Sequence, residues 1–341
     1  MDIKEWHVFG DVLKNGDIGF AEAFIRHHWD SEDLTATLEF VVANRTRLEQ
    51  AVYGSFAGRV FNRVRHLLNR NTRSGAKRNI HAHYDLGNAF YKLWLDESMT
   101  YSSAVFDDAH SGDAVTDAAR DRPQLERAQQ RKYERMLSQT GCRHGAKVLE
   151  IGCGWGGFAQ AAARRGVAVN GLTLSSEQLA FAQERLKNAG LSSSVDLTLQ
   201  DYRDEHEQFD GIVSIEMFEA VGESYWPSYF ETIKRCLKPG GRAVIQTITI
   251  ANDLFERYRS GSDFIQQYIF PGGMLPSPEV FRHYAGKAGL KVCDEHDFGL
   301  DYARTLACWR EQFLAQTAQV DALGFDERFK RTWLFYLAYC E

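Results

Sequence analysis

The chain has 341 residues, of which 44% are hydrophobic and 25% charged, and its net charge is −6. These values exclude a collagen-like, disordered or disulfide-framework chain, and a chain this long buries a large core without staples. The acidic balance speaks against nucleic acid as a partner, and no apolar run approaches the roughly 18 residues of a membrane-spanning helix.

The first fifty residues read as helical, with Trp6, Phe9, Phe20, Phe24 and Trp29 to bury. Asp30 to Asp33 forms an N-cap region before LTATLEFVVANRTRLEQ, whose apolar spacing is helical. The charged start has no signal-peptide core. From Arg59 to His83 there is a basic island: Arg59, Arg63, Arg65, Arg70, Arg73, Lys77 and Arg78, with no acid among them. Within it, VFNRVRHLLNR has an apolar side and an arginine side. An island of this kind in an acidic protein predicts an anionic partner, and a membrane face fits better than nucleic acid. An acidic polar loop near 107–123 precedes the helix QLERAQQRKYERMLSQT. From Gly141 short β-branched runs alternate with helical stretches: KVLEI, VAVNGLTLS, VDLTLQDY, FDGIVSI and GRAVIQTITI. That alternation predicts an α/β fold with a doubly wound, mainly parallel sheet, and a ligand crevice at the carboxyl ends of its strands. The expected division is a helical N-terminal segment over 1–80 and a catalytic domain over 81–341.

The first strand runs into Glu150-Ile-Gly152-Cys-Gly154-Trp-Gly156-Gly157. Glycines here let backbone N–H groups approach a ligand at a helix start. A dinucleotide site needs an acid at the end of the next strand for the ribose diol. That strand ends GLTLS, with Thr173 and no acid. Glu150, two residues before the first glycine, suits a cationic ligand instead. S-adenosylmethionine (AdoMet), with its ammonium and sulfonium, is therefore the expected cofactor rather than a nicotinamide. No metal is expected. The six cysteines are scattered with no CxxC, which fits a reducing cytoplasm, and His81 and His83 have no third ligand nearby.

Six strings together closely resemble the cyclopropane-fatty-acyl-phospholipid synthase family, which includes the mycolic acid cyclopropane synthases. They are HAHYDLGNAFYKLWLDESMTYSSAVF, VLEIGCGWGGFA, GLTLSSEQ, MFEAVG, FIQQYIFPGGMLPS and DYARTLACW. The resemblance implies a class I AdoMet methyltransferase that acts on the cis double bond of a phospholipid acyl chain and gives a cyclopropane ring. It implies that Tyr101 and Ser102 cover the cofactor and that Gly152 and Gly154 meet its methionine end. Thr173 and Gln178 take the place of the ribose acid, Asp201 sits by the adenine, and Tyr84 closes a lid. It also implies a cytoplasmic enzyme at the inner membrane face, with dimers common. Members often start well before Gly16 and continue past the closing LAYCE, so a short homolog or a fragment is expected.

An alkene that attacks the sulfonium methyl becomes a carbocation, which calls for aromatic faces and exclusion of water. A base must then remove a proton. In the resembled family that base is a bound bicarbonate, held by a main-chain N–H, a Glu, a His and a Tyr. The matching positions are Ser103, Glu219, Gln246 and Tyr302, with Ile248 as the apolar neighbour. Gln246 donates a hydrogen bond but carries no charge. Its presence motivates a rival product, a methyl-branched or methyl-unsaturated chain. A small-molecule methyltransferase and an inactive lipid-surface homolog are the other rivals. Glu216, close to the end of a strand, reads as structural and stays outside the catalytic set.

Overall fold

A computed structural model describes residues 1–44, 47, 75, 86–107 and 117–341. The basic island (Gly75 apart), the expected boundary near residue 80 and Tyr84 lie outside the described residues.

The described elements are, in chain order, β1 (Asp2–Ile3), α1 (Val8–Asn15), α2 (Asp17–Ile25), β2 (Trp29–Asp30), α3 (Leu34–Ala43), α4 (Asn88–Trp94), α5 (Ala118–Asp121), α6 (Leu125–Thr140), β3 (Lys147–Ile151), α7 (Gly157–Arg164), β4 (Ala168–Thr173), α8 (Ser176–Asn188), β5 (Val195–Leu199), β6 (Phe209–Ile215), α9 (Trp226–Cys236), β7 (Leu237–Gln246), α10 (Asn252–Ser260), α11 (Phe264–Tyr268), α12 (Pro278–Lys287), α13 (Gly299–Ala315), α14 (Thr317–Ala322) and α15 (Glu327–Cys340). Local chemistry explains several boundaries. Asp33 caps α3 by accepting a hydrogen bond from the Ala36 N–H at 2.9 Å. Gly141 ends α6 at φ +72°, a left-handed stop that glycine tolerates best.

The five strands pair in the order β5-β4-β3-β6-β7, every pair parallel. The central strands are buried on both faces: Val148, Leu149, Ile151, Ile212 and Val213 are 0–1% exposed. This is why β3 and β6 read as apolar runs rather than alternating ones. The chain winds from β3 to one side through β4 and then returns to the other side through β6. Helices cover both faces, so the doubly wound architecture expected from the alternation is what forms. The order reverses beside β3, and a crevice opens there at the carboxyl ends of the strands.

Helices from both ends of the chain cover this crevice. Phe24 and Trp29 from the N-terminal residues share one hydrophobic cluster with Phe90, Trp94, Trp309, Trp333 and Phe335. Arg331 fastens the two ends. Its guanidinium donates to the Phe24 and Trp29 carbonyls at 2.8 and 3.3 Å and lies 3.8 Å over the Phe24 ring. Arg304 makes a two-point pair with the fully buried Asp121, both contacts at 2.8 Å, and anchors α13 to α5. Among the described residues no helix is long and apolar enough to cross a membrane.

Asp17 and Asp263 are half-buried where α2, α11 and α15 meet. Burial, then the Asp263 charge, pushes the Asp17 carboxyl up to about 7, and burial pushes Asp263 up to about 6. Raised carboxyl pKa values mean that the folded state binds more protons than the unfolded chain. The stability these groups contribute is therefore full below about pH 4 and is lost as pH rises through 6 and 7. Asp17→Asn keeps an oxygen to accept from the Phe264 N–H and the Tyr339 hydroxyl. The variant is expected to lose less Tm than the parent between pH 5 and pH 8. Differential scanning calorimetry across that range checks this, and parallel pH profiles would refute the assignment.

Candidate active site

Strand β3 ends at Ile151 and α7 begins at Gly157, so the glycine loop lies at the mouth of the crevice. Gly152 has φ +85° and Gly154 φ +50°. A Cβ on Gly152 would stand 2.9 Å from the Met217 side chain, while one on Gly154 would meet nothing within 4 Å. The loop therefore comes close to the β6 connection and keeps open space above it.

All the expected cofactor residues among those described line one cleft: Tyr101, Ser102, Glu150, Gly152, Gly154, Thr173, Gln178 and Asp201. Its empty space, mouth included, is about 1180 Å³. Thr173 and Gln178 are joined by a 3.3 Å hydrogen bond at the end of β4, where a dinucleotide site would have an acid. Asp201 accepts from the Arg203 guanidinium at 2.8 Å, so its carboxylate is held in place at the cleft edge. The Glu150 side chain is buried, and its Oε2 has no hydrogen-bond partner among the described residues. Burial alone drives its pKa well above the usual carboxylate range. A lone buried carboxyl on a cleft wall needs a cationic partner. AdoMet, with its ammonium group, fits that requirement.

Next to the cofactor residues the structure gathers the five expected catalytic positions, but around a residue that the sequence reading set aside. The Glu216 carboxylate accepts from the Ser103 N–H at 2.8 Å and the Gln246 amide at 2.8 Å through Oε1. Its Oε2 accepts from the Tyr302 hydroxyl at 2.8 Å. Ile248 donates its N–H to Glu219, not to an open site. Glu216 is thus the residue on which three of the expected positions converge, a placement the sequence reading did not foresee. The missed signal was positional. Glu216 follows the last residue of β6, at the carboxyl end of a central strand, where a doubly wound sheet places its ligand crevice.

Glu216 also has φ +47°, rare for a residue with a side chain, and its N–H is tied to the Gln246 carbonyl at 2.9 Å. Burial raises its carboxyl pKa, while the Lys132 charge and the three donors oppose that rise. Lys132 is 1% exposed and donates to the Ser102 hydroxyl and the Gln129 carbonyl oxygen, both at 2.6 Å. Burial brings its own pKa down to about 7. Glu219 is pushed up to about 8, first by burial and then by the Glu216 charge. The two carboxyls thus differ in surroundings: Glu219 is pushed up by burial and by the neighbouring acid, and Glu216 is the one surrounded by donors.

Behind this group stands an aromatic wall. Tyr302 meets Trp309 edge-on at 6.3 Å, and Tyr101 lies 5.5 Å from Trp94 and 5.4 Å from Trp309. The Tyr101 hydroxyl bonds to that of Tyr336 at 2.7 Å.

A parallel sheet with a glycine loop after its first strand, an unpaired buried acid in the cleft and helices on both faces defines an AdoMet-dependent methyltransferase. The sequence model of the mycolic acid cyclopropane synthetase family matches residues 71–341. The chain belongs to that family. It is 39% identical over 335 residues to the tuberculostearic acid methyltransferase UfaA1 of Mycobacterium tuberculosis, covering 97% of this chain and 76% of that one. It is 36% identical over 340 residues to the cyclopropane-fatty-acyl-phospholipid synthase of Escherichia coli K12, covering 99% and 82%. Among solved structures, mycolic acid cyclopropane synthase CmaA1 complexed with SAH and CTAB matches with a TM-score of 0.68 and 31% identity, over 77% of this chain and 92% of that one.

The glycine loop can be tested by stability. Gly152→Ala and Gly154→Ala each place a side chain at positive φ, a cost of roughly 1–2 kcal/mol. Only the first adds a close contact, with Met217. Gly152→Ala is expected to lower stability by more than Gly154→Ala in urea unfolding, and the reverse order would contradict this loop geometry.

Proposed function

We propose that the protein transfers a methyl or methylene unit from AdoMet to the cis double bond of an unsaturated phospholipid acyl chain. The observation that carries this reading is the junction of two sites. Ser102 and Glu216 line the cofactor cleft, and the Ser103–Glu216–Gln246–Tyr302 cluster continues from them. A methyl acceptor placed there has a carboxylate within the same enclosure. When bound, AdoMet supplies an electrophilic methyl group whose addition to an alkene leaves a carbocation on the chain. The aromatic wall offers ring faces to that charge, and burial of the cluster limits attack by water.

In this reading Glu150 pairs with the cofactor's ammonium, and Gly152 and Gly154 let the backbone meet its methionine end. Thr173 and Gln178 face the ribose, Asp201 the adenine, and Tyr101 and Ser102 cover the cofactor. The simplest product is a cyclopropane chain. A methyl-branched or methyl-unsaturated chain is the second product, favoured by Gln246 where the resembled family has a charged His. The protein works in the cytoplasm at the inner membrane face. Membrane contact is supported by the basic island in the sequence and by a stripe on and beside α1. In that stripe Trp6, Phe9 and Leu13 are 79, 47 and 53% exposed.

Glu150→Gln removes the charge for the cofactor's ammonium. A charge-assisted contact of about 1.5–3 kcal/mol predicts that AdoMet binds roughly ten- to a hundredfold more weakly, measured by titration calorimetry. Unchanged affinity would remove Glu150 from the cofactor site. For the product, the protein is incubated with AdoMet and liposomes of cis-monounsaturated anionic phospholipid, and the released fatty acids are read by proton NMR. High-field cyclopropane methylene signals are expected. A branched methyl or exocyclic methylene signal without them would assign the second product, and unmodified lipid would refute the reading.

A further inference from the structure

We infer that Glu216 is the proton-accepting base of this enzyme and that it replaces the bicarbonate expected from the family resemblance. The inference rests on the lipid-methylation reading above. It starts from a test of fit. A bicarbonate site needs free donors converging on open space. Here the Ser103 N–H, the Gln246 amide and the Tyr302 hydroxyl converge within 2.8 Å on the two oxygens of one side chain of the chain itself. The Ile248 N–H is spent on Glu219. Bicarbonate does not fit beside the Glu216 carboxylate, because it would need the same donors and would add a second negative charge to a buried cluster.

The carboxylate of Glu216 presents the same chemistry that bicarbonate would bring: two oxygens, one negative charge and a proton affinity set by its neighbours. Three further features suit a base. Its side chain borders the cofactor cleft. Its backbone is held at φ +47°, a conformation that persists where the surrounding structure enforces it. Lys132, buried and tethered to Ser102 and Gln129, supplies the positive charge that Gln246 lacks and favours the ionised form of Glu216. Lys132 is a positioning residue and does not reach the reacting atoms in this scheme.

The step balances without a co-reactant. After methyl transfer the acyl chain carries one positive charge. A C–H bond of the chain breaks, its proton joins a Glu216 oxygen, and the electron pair left behind forms the carbon–carbon bond that neutralises the cation. The proton then passes from the Glu216 carboxyl to solvent, restoring the carboxylate.

The experiment compares the 341-residue chain with its Glu216→Gly and Glu216→Gln variants. Glycine is at ease at φ +47°, and glutamine keeps an oxygen for the same donors, so at least one variant keeps the fold, checked by near-ultraviolet circular dichroism. The first readout is ¹³C NMR line broadening of labelled bicarbonate. The wild type is expected to leave the line sharp, and Glu216→Gly, with its donors freed, to broaden it. Broadening by the wild type, or none by Glu216→Gly, overturns the inference. The second readout is turnover in CO₂-depleted buffer. Wild-type turnover is expected to be unchanged by added bicarbonate. Both variants are expected to lose at least about a hundredfold, the usual scale of a lost general base, and Glu216→Gly to regain part of it with bicarbonate. Full activity in Glu216→Gln, or bicarbonate dependence of the wild type, overturns the assignment. If no protein methylates the lipid in either buffer, the lipid-methylation reading fails, and the bicarbonate line shapes still decide what the anion site holds.

Discussion

The geometry of the site depends on one constraint: a buried carboxylate must be surrounded by donors or it will not stay charged. Glu216 satisfies it by drawing groups from four separate regions, namely Ser103 after α4, Gln246 at the end of β7, Tyr302 in α13 and the nearby charge of Lys132 in α6. Each donor fixes one element against the carboxyl ends of the strands. The positive φ of Glu216 is the backbone's part in this arrangement, since it turns the chain from β6 toward the cleft. Taking away any one donor leaves a buried charge less compensated, which is why these groups act as a unit.

The second consequence is electrostatic sorting. Three glutamates line or adjoin the cleft, and burial raises the pKa of each. Their surroundings then separate them. The Oε2 of Glu150 has no hydrogen-bond partner among the described residues, and the side chain suits a cationic ligand. Glu219 sits beside another carboxyl, which adds to the rise that burial causes. Glu216 has three donors and a neighbouring ammonium. One residue type thus offers three chemical characters within one cleft, as differing environments dictate. The aromatic wall around Tyr101, Trp309 and Tyr302 adds ring faces to the same enclosure.

Much of this was legible beforehand. The β-branched runs KVLEI and FDGIVSI, the glycine loop and the helix between Leu125 and Thr140 are local signals, and each forms where its pattern placed it. Of the expected cofactor residues, Glu150 and the loop glycines follow from the same local logic, and the others were implied by the family resemblance. Glu216 was legible only by position. Its identity and its place near a strand end fit a structural acid as well as a reactive one. What separates the two is the set of donors brought to it from positions 30 to 113 residues away in sequence.

The sequence alone determined the parallel α/β sheet and the AdoMet cleft, which rest on short-range periodicity and on glycines and an acid at fixed spacing from a strand end, and the family, which rests on the resemblance of six sequence strings. Tertiary structure decided which carboxyl occupies the anion position, which acid lies beside another and where the compensating charge sits. Those properties depend on distance and burial between residues far apart in the chain, and no local pattern encodes either.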